Sequence, residues 1–293
     1  MATISDDSRG LIEDQPAGSA RWSLGNGLRY VLLLVTTALV LVPLVMAVVG
    51  GFRTNQDLQA RPIGWPDPFI LSNYSDIIVS GPFWRKVFNS VTIMLLTTVI
   101  ALALSGSSAF VFARMRFRGR EALFNFFLVG LLFPLPVAIL PLYLLLRSLG
   151  MVDSLWGVIM PQVAFSLPFN ILLLRSFFVA VPQDLEDAAY VDGATPLEFL
   201  LRILLPLVRP ALAAVAVIEM VKSWNNFFLP LVVLNSERNY TLPLGVQQFQ
   251  GQYLTDWARV LAYVTLAMVP AVALYMVAER HIVTGLTAGS VKG

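Results

Sequence analysis

The chain has 293 residues, of which 57% are hydrophobic and 13% charged, a balance far more apolar than that of a water-soluble domain. A net charge of +2, with no lysine run and no arginine interleaved with aromatic residues, points away from a nucleic-acid partner. There is no cysteine, which excludes disulfides, a thiolate nucleophile and a cysteine metal centre; the lone His281 cannot build a histidine site, so no metal is expected.

Residues 1–27 are rich in Ser, Asp and Gly and read as a flexible tail, leaving 28–293 as one membrane domain. The apolar run Val31–Val49 is as long as a bilayer crossing and ends without a convincing cleavage site, so it is a span and not a signal peptide. Further spans are predicted at about 88–113, 122–146, 155–179, 207–234 and 259–279, giving about six transmembrane helices with both termini on one side. The fold class is therefore an all-α membrane protein. Between the first two spans, residues 52–87 contain Arg61-Pro62 and Trp65-Pro66-Asp67-Pro68, prolines that resist long regular structure, and are expected to be a folded-over external loop.

Orientation follows from the basic residues. Arg114, Arg116, Arg118 and Arg120 concentrate between the second and third spans, which assigns that loop to the cytoplasm. Both termini and a polar segment at about 180–206 then lie in the cytoplasm as well, while 52–87 and 235–258 lie outside. Arg85 and Lys86, on the external side, run against this assignment but are outnumbered.

Polar and ring-locked residues interrupt the spans. Pro134, Pro136 and Pro141 must kink or break the third, and freed carbonyls beside them either line a cavity or pack around the kink. Gln162 and Asn170 flank Pro168 in the fourth span, where their amides can bond a polar solute or a neighbouring helix. Glu219 and Lys222 stand at i and i+3 in the fifth, followed by Trp224-Asn225. Such a pair should face the protein interior or a water-filled path, or else clamp two spans together.

The polar island from Pro182 to Pro210 reads as helix, corner, helix. Asp184 is the expected cap, Glu186 and Asp187 suit the positive end of the helix dipole, and Gly193 stops the helix. Thr195, Pro196 and Glu198 form a capping box for the second helix. Leu185, Ala188, Ala189 and Asp192 share one side of the first helix, a small flat face suited to a groove on a partner.

At this point the sequence resembles a family. Asp187-Ala188-Ala189, Gly193, Ile203 and Leu205-Pro206 match the register of the cytoplasmic Glu-Ala-Ala signature of permease subunits of bacterial ABC importers, aspartate replacing the leading glutamate. Asn73-Tyr74, Asn89-Ser90, Ala113-Arg114 to Gly119-Arg120, Trp224-Asn225 and Gly285 to Gly293 are similar to the second permease subunit of carbohydrate importers of the maltose and glycerol-phosphate type. The resemblance implies a half-channel of the bacterial inner membrane that pairs with a homologous permease, two cytoplasmic ATP-binding subunits and an external solute-binding protein. It implies ATPase coupling through Glu186, Asp187, Ala188, Ala189, Asp192, Gly193, Ile203, Leu205 and Pro206. A second ATPase contact would use Gly285, Gly289, Lys292 and Gly293, and a binding-protein contact Gln247, Gln250 and Tyr253. The solute path would run by Pro134, Pro136, Gln162, Asn170, Glu219, Lys222, Trp224 and Asn225.

No Gly-x-x-x-x-Gly-Lys-Ser/Thr run occurs, so this chain holds no nucleotide cofactor, and ATP and magnesium belong to the partner subunits. Two other classes stay open on the residues alone. One is an ion-coupled secondary transporter working through Glu219 and Lys222. The other is an intramembrane enzyme restricted to Asp, Glu, Lys or Ser chemistry.

Overall fold

Proline sets the breaks in an otherwise helical chain. The computed structural model describes residues 24–251 and 255–287. Among them there is no strand beyond an isolated antiparallel bridge between Gln250 and Thr255. The chain divides into two units, one ending at Met46 and one running from Ala47. The described part of the first is most of α1 (Leu24–Gly50), which has no charged residue after Arg29 and is long and apolar enough to cross a membrane. Its start takes residues 24–27 out of the predicted tail; residues 1–23 lie outside the described residues.

The second unit opens with the predicted external loop, which is more regular than its prolines suggested. It holds α2 (Asn55–Ala60) and α3 (Ser72–Val79), and α4 (Gly81–Arg114) starts at Gly81 instead of near residue 88. The prolines fall between α2 and α3, or in the first turn of α4 where a missing amide is harmless. Buried Arg53 organises the turn: its guanidinium donates to the Asp57 carboxylate at 2.5 Å and the Arg61 carbonyl at 2.6 Å. Asn73 Nδ2 donates to the Gly51 and Arg53 carbonyls, both at 3.0 Å.

The predicted span at 122–146 is not one helix. α5 (Arg120–Val129) and its short 3-10 extension meet α6 (Leu135–Ser148) at 101°. Pro134 is extended at φ −74°, ψ 127° and Pro136 follows in the first turn of α6, so neither nitrogen can carry the hydrogen-bond ladder across the break. α7 (Leu155–Ala180) stays continuous through Pro161 and Pro168. The island follows as α8 (Gln183–Val191), α9 (Pro196–Glu198), a π-helical segment at Phe199–Leu204 and α10 (Leu205–Leu207).

At Val208 the chain turns by 80° into α11 (Arg209–Trp224). Pro210 lacks the amide that would bond the Pro206 carbonyl, which permits the bend. The predicted span at 207–234 is likewise corrected: α11 stops at Trp224, and α12 (Phe228–Val233) is a separate short helix. Asn225 ends α11 by donating from Nδ2 to the Val221 carbonyl at 2.9 Å. α13 (Trp257–Thr287) closes the described chain.

Side-chain contacts give the direction of each element. Arg114, ending α4, touches Phe178 and Val181 at the end of α7, so α4 and α7 run the same way and pack along each other. The broken α5–α6 pair must therefore carry the chain back between the two ends, as a broken span and not a re-entrant hairpin. The same holds for α11–α12, because Asn235 and Ser236 are bonded to Asp153 just before α7. Among the described residues four helices are long and apolar enough to cross, and two bent pairs, α5–α6 and Pro196–Leu207 with Arg209–Trp224, bring the candidate crossings to six when each is taken as one span.

Opposite the arginine end, the segment from Asn235 to Phe249 is clamped at two places. Lys86, 1% exposed, donates to Glu237 Oε1 at 2.9 Å and to Gln248, and Asn89 Nδ2 reaches the Arg238 and Tyr240 carbonyls. This burial explains why Lys86 runs against the charge rule: it is a paired structural cation. Asp153, at φ 57°, accepts from the amides of Asn235 at 3.0 Å and Ser236 at 2.9 Å and from the Ser236 hydroxyl. Burial alone would push its carboxyl up, but the Ser236, Asn235 and Asn239 hydrogen bonds prevail and hold it at about 2.

A depressed carboxyl stabilises the fold above its unfolded value near 3.8 and loses that contribution as pH falls towards about 2. Asp153→Asn should therefore lower thermal stability at pH 7, by about 1.5–3 kcal/mol for charge-assisted hydrogen bonds, and by much less near pH 2. Equal losses at both pH values in detergent-solubilised protein would contradict this clamp.

Candidate functional site

At the arginine end, α8 rests on a core of Phe110, Leu174, Phe178, Phe199, Leu204, Ala211 and Val215 drawn from α4, α7, the π segment and α11. The Arg114 side chain is 7% exposed and that of Glu186 9%; Arg114 Nη1 lies 3.4 Å from Glu186 Oε2. Nη2 of Arg114 donates to the Phe178 and Val181 carbonyls, each at 2.6 Å, which closes the end of α7. Tyr190 donates to Glu186 Oε1 at 2.8 Å. Burial first, and then that bond to Glu186, push the Tyr190 hydroxyl up to about 12. One arginine thus ties α4, α7 and α8 together.

The helix α8 begins differently from the expectation. Pro182 occupies the cap position with no side-chain cap, and Asp184 lies inside the first turn. Its end is as expected: Gly193 has φ +83°, its amide bonds the Tyr190 carbonyl at 3.1 Å, and the Ala194 amide bonds the Ala189 carbonyl at 2.9 Å, a Schellman closure. The capping box is also present, with Thr195 Oγ1 accepting from the Glu198 amide and Glu198 Oε2 from the Thr195 amide. Those Thr195 bonds hold the Glu198 carboxyl below its ordinary range.

The face of α8 needs one correction. Ala189 and Glu186 point into the core, while Asp184, Leu185, Asp187, Ala188, Val191 and Asp192 are exposed. The helix is docked through its Glu186–Ala189 stripe, which leaves the opposite, more acidic stripe free. Ile203 and Leu205 pack against the same core, so they support the corner, and Pro206 is half-buried beside them.

A second polar feature lies within the spans. A cavity of about 150 Å³ is lined by Gln162, Phe165 and Ser166 of α7, by Glu219, Lys222 and Ser223 of α11, and by Leu135, Asn226 and Leu229. Asn170 Nδ2 donates to Glu219 Oε2 at 3.3 Å across the α7–α11 contact. The predicted Glu219–Lys222 ion pair does not form; Lys222 Nζ sits 4.3 Å from the centre of the Phe169 ring instead. Trp224 is not on this cavity either, since its indole is buried among Tyr74, Phe83, Met94 and Tyr263. Asn225 is exposed at the end of α11, and Pro134 and Pro136 are exposed at the α5–α6 break, outside the cavity lining.

On the opposite end, Gln247 and Gln250 line an open pocket of about 450 Å³ with Glu237, Tyr240 and Gln248. Tyr253 lies outside the described residues, as do Gly289, Lys292 and Gly293, whereas Gly285 falls in the last turns of α13. Arg114 and Lys86 were readable in sequence as charge signals, but their buried anchoring roles were not. The available hint was that each sits at the edge of an apolar run.

Residues 101–287 match the family described as binding-protein-dependent transport system inner membrane component. The chain belongs to that family. The permease is 30% identical over 286 residues to a probable ABC transporter permease, YurM, of Bacillus subtilis, covering 96% of this chain and 93% of that one. It is 30% identical to the sulfoquinovosyl glycerol transport system permease SmoH of Agrobacterium fabrum, over 94% of this chain and 97% of the relative. It is 33% identical to the arabinooligosaccharides permease AraQ of Halalkalibacterium halodurans, over 86% and 91%. Among solved structures, a chain of a bacterial ABC transporter that imports alginate superposes with a TM-score of 0.76 at 21% identity, covering 89% of this permease and 99% of that chain. The permease is thus a multi-pass membrane transport subunit of all-helical importer fold.

Removing one partner of a buried ion pair costs about 3–5 kcal/mol, because the other charge is stranded. Arg114→Met should therefore lower thermal stability and expose the α8 region to protease, while the Arg114→Met/Glu186→Met double variant recovers only the part due to the stranded charge, since the Phe178 and Val181 carbonyls stay without their donor. A single variant as stable and as protease-resistant as the parent would remove Arg114 as the anchor.

Proposed function

We propose that the permease forms half of the translocation pathway of an ATP-driven importer for a carbohydrate, and that α8 is the element through which ATPase motion reaches the spans. The observation that carries this reading is the exposed Asp184, Leu185, Asp187, Ala188 and Asp192 stripe of α8, held on a buried Arg114–Glu186 base. Ala188 and Gly193 keep that surface shallow, and no neighbouring atom lies within 4 Å of where a Gly193 Cβ would be. The sugar-linked names of SmoH and AraQ, and the alginate importer of like fold, support a carbohydrate as solute.

In this reading the arginine end faces the cytoplasm, in keeping with Arg114, Arg116, Arg118 and Arg120, and both termini lie on that side. The partners are a homologous permease, two ATP-binding subunits that supply ATP and magnesium chemistry, and an external binding protein near Gln247 and Gln250. Closure of the ATPases would move α8, and Arg114 would pass that motion to α4 and α7 as a rigid-body rotation.

Gly193→Val tests the coupling role, because a β-branched residue in left-handed conformation costs about 1–2 kcal/mol. In membranes carrying the full set of partners, the variant should insert normally yet lose about tenfold in ATP-driven uptake, following that cost. Asp187→Glu, which keeps the charge, should leave uptake intact. Unchanged uptake in Gly193→Val would remove the coupling role, and uptake by the permease alone under an ion gradient would replace the ATP-driven reading.

A further inference from the structure

The loop between α2 and α3 exposes large apolar side chains that no crossing helix accounts for. Ile63 is 81% and Trp65 78% exposed, and Phe69 and Leu71, further along, are exposed as well. This loop is held firmly in place. Buried Arg53 donates from Nη1 to the Pro62 carbonyl at 3.4 Å and from Nη2 to the Arg61 carbonyl at 2.6 Å, and a Cβ on Gly64 would lie 3.6 Å from the same guanidinium. The Ile70 amide bonds the Phe52 carbonyl at 2.8 Å, and the Phe69 ring stacks on Phe52 with centroids 4.6 Å apart. Burying a guanidinium is costly, and here it holds an apolar tip in the open.

Neighbouring elements fix the height of the tip. Phe52 and Arg53 follow directly on Gly50, where α1, long and apolar enough to cross a bilayer, ends. Asn55 accepts from the Trp257 amide at 3.0 Å and donates to the Thr255 carbonyl at 3.3 Å, which sets this turn level with the start of α13. That level is marked by tryptophan. Among the described residues Trp65, Trp84, Trp156 and Trp257 are exposed, the last three in the first turns of α4, α7 and α13, and all stand at the Lys86 end of the molecule. Tryptophan gathers where hydrocarbon meets headgroups, because its ring is apolar and its N–H seeks a polar partner.

We propose that the tip formed by residues 63–69 is an interfacial anchor, seated in the bilayer leaflet at the Lys86 end, with Ile63 at the acyl boundary and Trp65 among the headgroups. Its partner is phospholipid. The nearest cation, Arg61, is already bonded to the Asp57 carboxylate at 2.6 Å, and Asp67, the one charged residue of the tip, is exposed and stays with the headgroups. What remains is an apolar surface at the depth where a crossing ends, the place at which lipid covers such side chains. Seated there, the tip pins the Arg53 turn, and through Asn55 the start of α13, at the membrane surface.

The chain contains no cysteine, so single introduced thiols can carry a nitroxide spin label. Ile63→Cys and, separately, Trp65→Cys are labelled in the complete importer, held without binding protein in nanodiscs of phosphatidylethanolamine and phosphatidylglycerol, with Leu34→Cys in α1 as the lipid reference. Collision rates are measured with oxygen, which concentrates in hydrocarbon, and with a nickel chelate, which stays in water. The Ile63→Cys label should meet nickel at about a tenth of the rate of free label, following the preference of one large apolar side chain for lipid over water. Its oxygen collisions should approach those of Leu34→Cys, and the Trp65→Cys label should fall between the lipid reference and free label on both measures. Nickel collisions at the free-label rate would place the tip in water and overturn the anchor. Slow collisions with both reagents would mean that a protein surface covers the tip, which would overturn it equally.

Discussion

The structure at one end depends on the buried pair of Arg114 and Glu186. Without it α8 would rest on the core through Ala189 and Tyr190 alone, since its remaining side chains are exposed. The guanidinium reaches two α7 carbonyls as well as the carboxylate, so a single planar group joins three helices. Arginine suits this task because its fork of donors is rigid and permanently charged. The pair is expensive to bury, and its hydrogen bonds to backbone and tyrosine offset that cost.

A second constraint is proline. Pro134 and Pro136 break one crossing and Pro210 bends the approach to another, which separates the chain into short rigid pieces around a continuous α4 and α7. The polar cavity lies beside the first of these breaks and the far end of α11, with Leu135 at the start of α6 and Asn226 just after α11 in its lining. A π-helical segment at Phe199–Leu204 lies between the α8 corner and α11, at the point where motion would pass from the surface helix into the spans. At the far end, Lys86 and Asp153 clamp the Asn235–Phe249 segment to the same α4 and α7.

Local chemistry made much of this legible. The Thr195–Glu198 capping box and the Gly193 stop were readable because caps depend on a few adjacent residues, and the apolar runs located the four helices that are long and apolar enough to cross unbroken. What could not be read was which side of α8 faces inward: Glu186 looked like a dipole partner, and only the position of Arg114, distant in sequence, turns it into the core. Continuity failed in the same way. The 207–234 run is apolar throughout, yet the short break after Trp224 depends on the Asn225 side chain returning to Val221 and on tertiary packing of Trp224. Glu219 and Lys222 had pairing geometry by spacing, but Phe169 and Asn170 on α7 compete for them.

The central claim is that α8 meets the ATPase through one face and the permease core through the other. Single cysteines along α8 in the otherwise cysteine-free chain, cross-linked to an ATP-binding subunit in inside-out vesicles, test it most directly. The account predicts cross-links from Asp187→Cys and Ala188→Cys and none from Ala189→Cys. Equal cross-linking at Ala189→Cys, or none at any of the three, would contradict it.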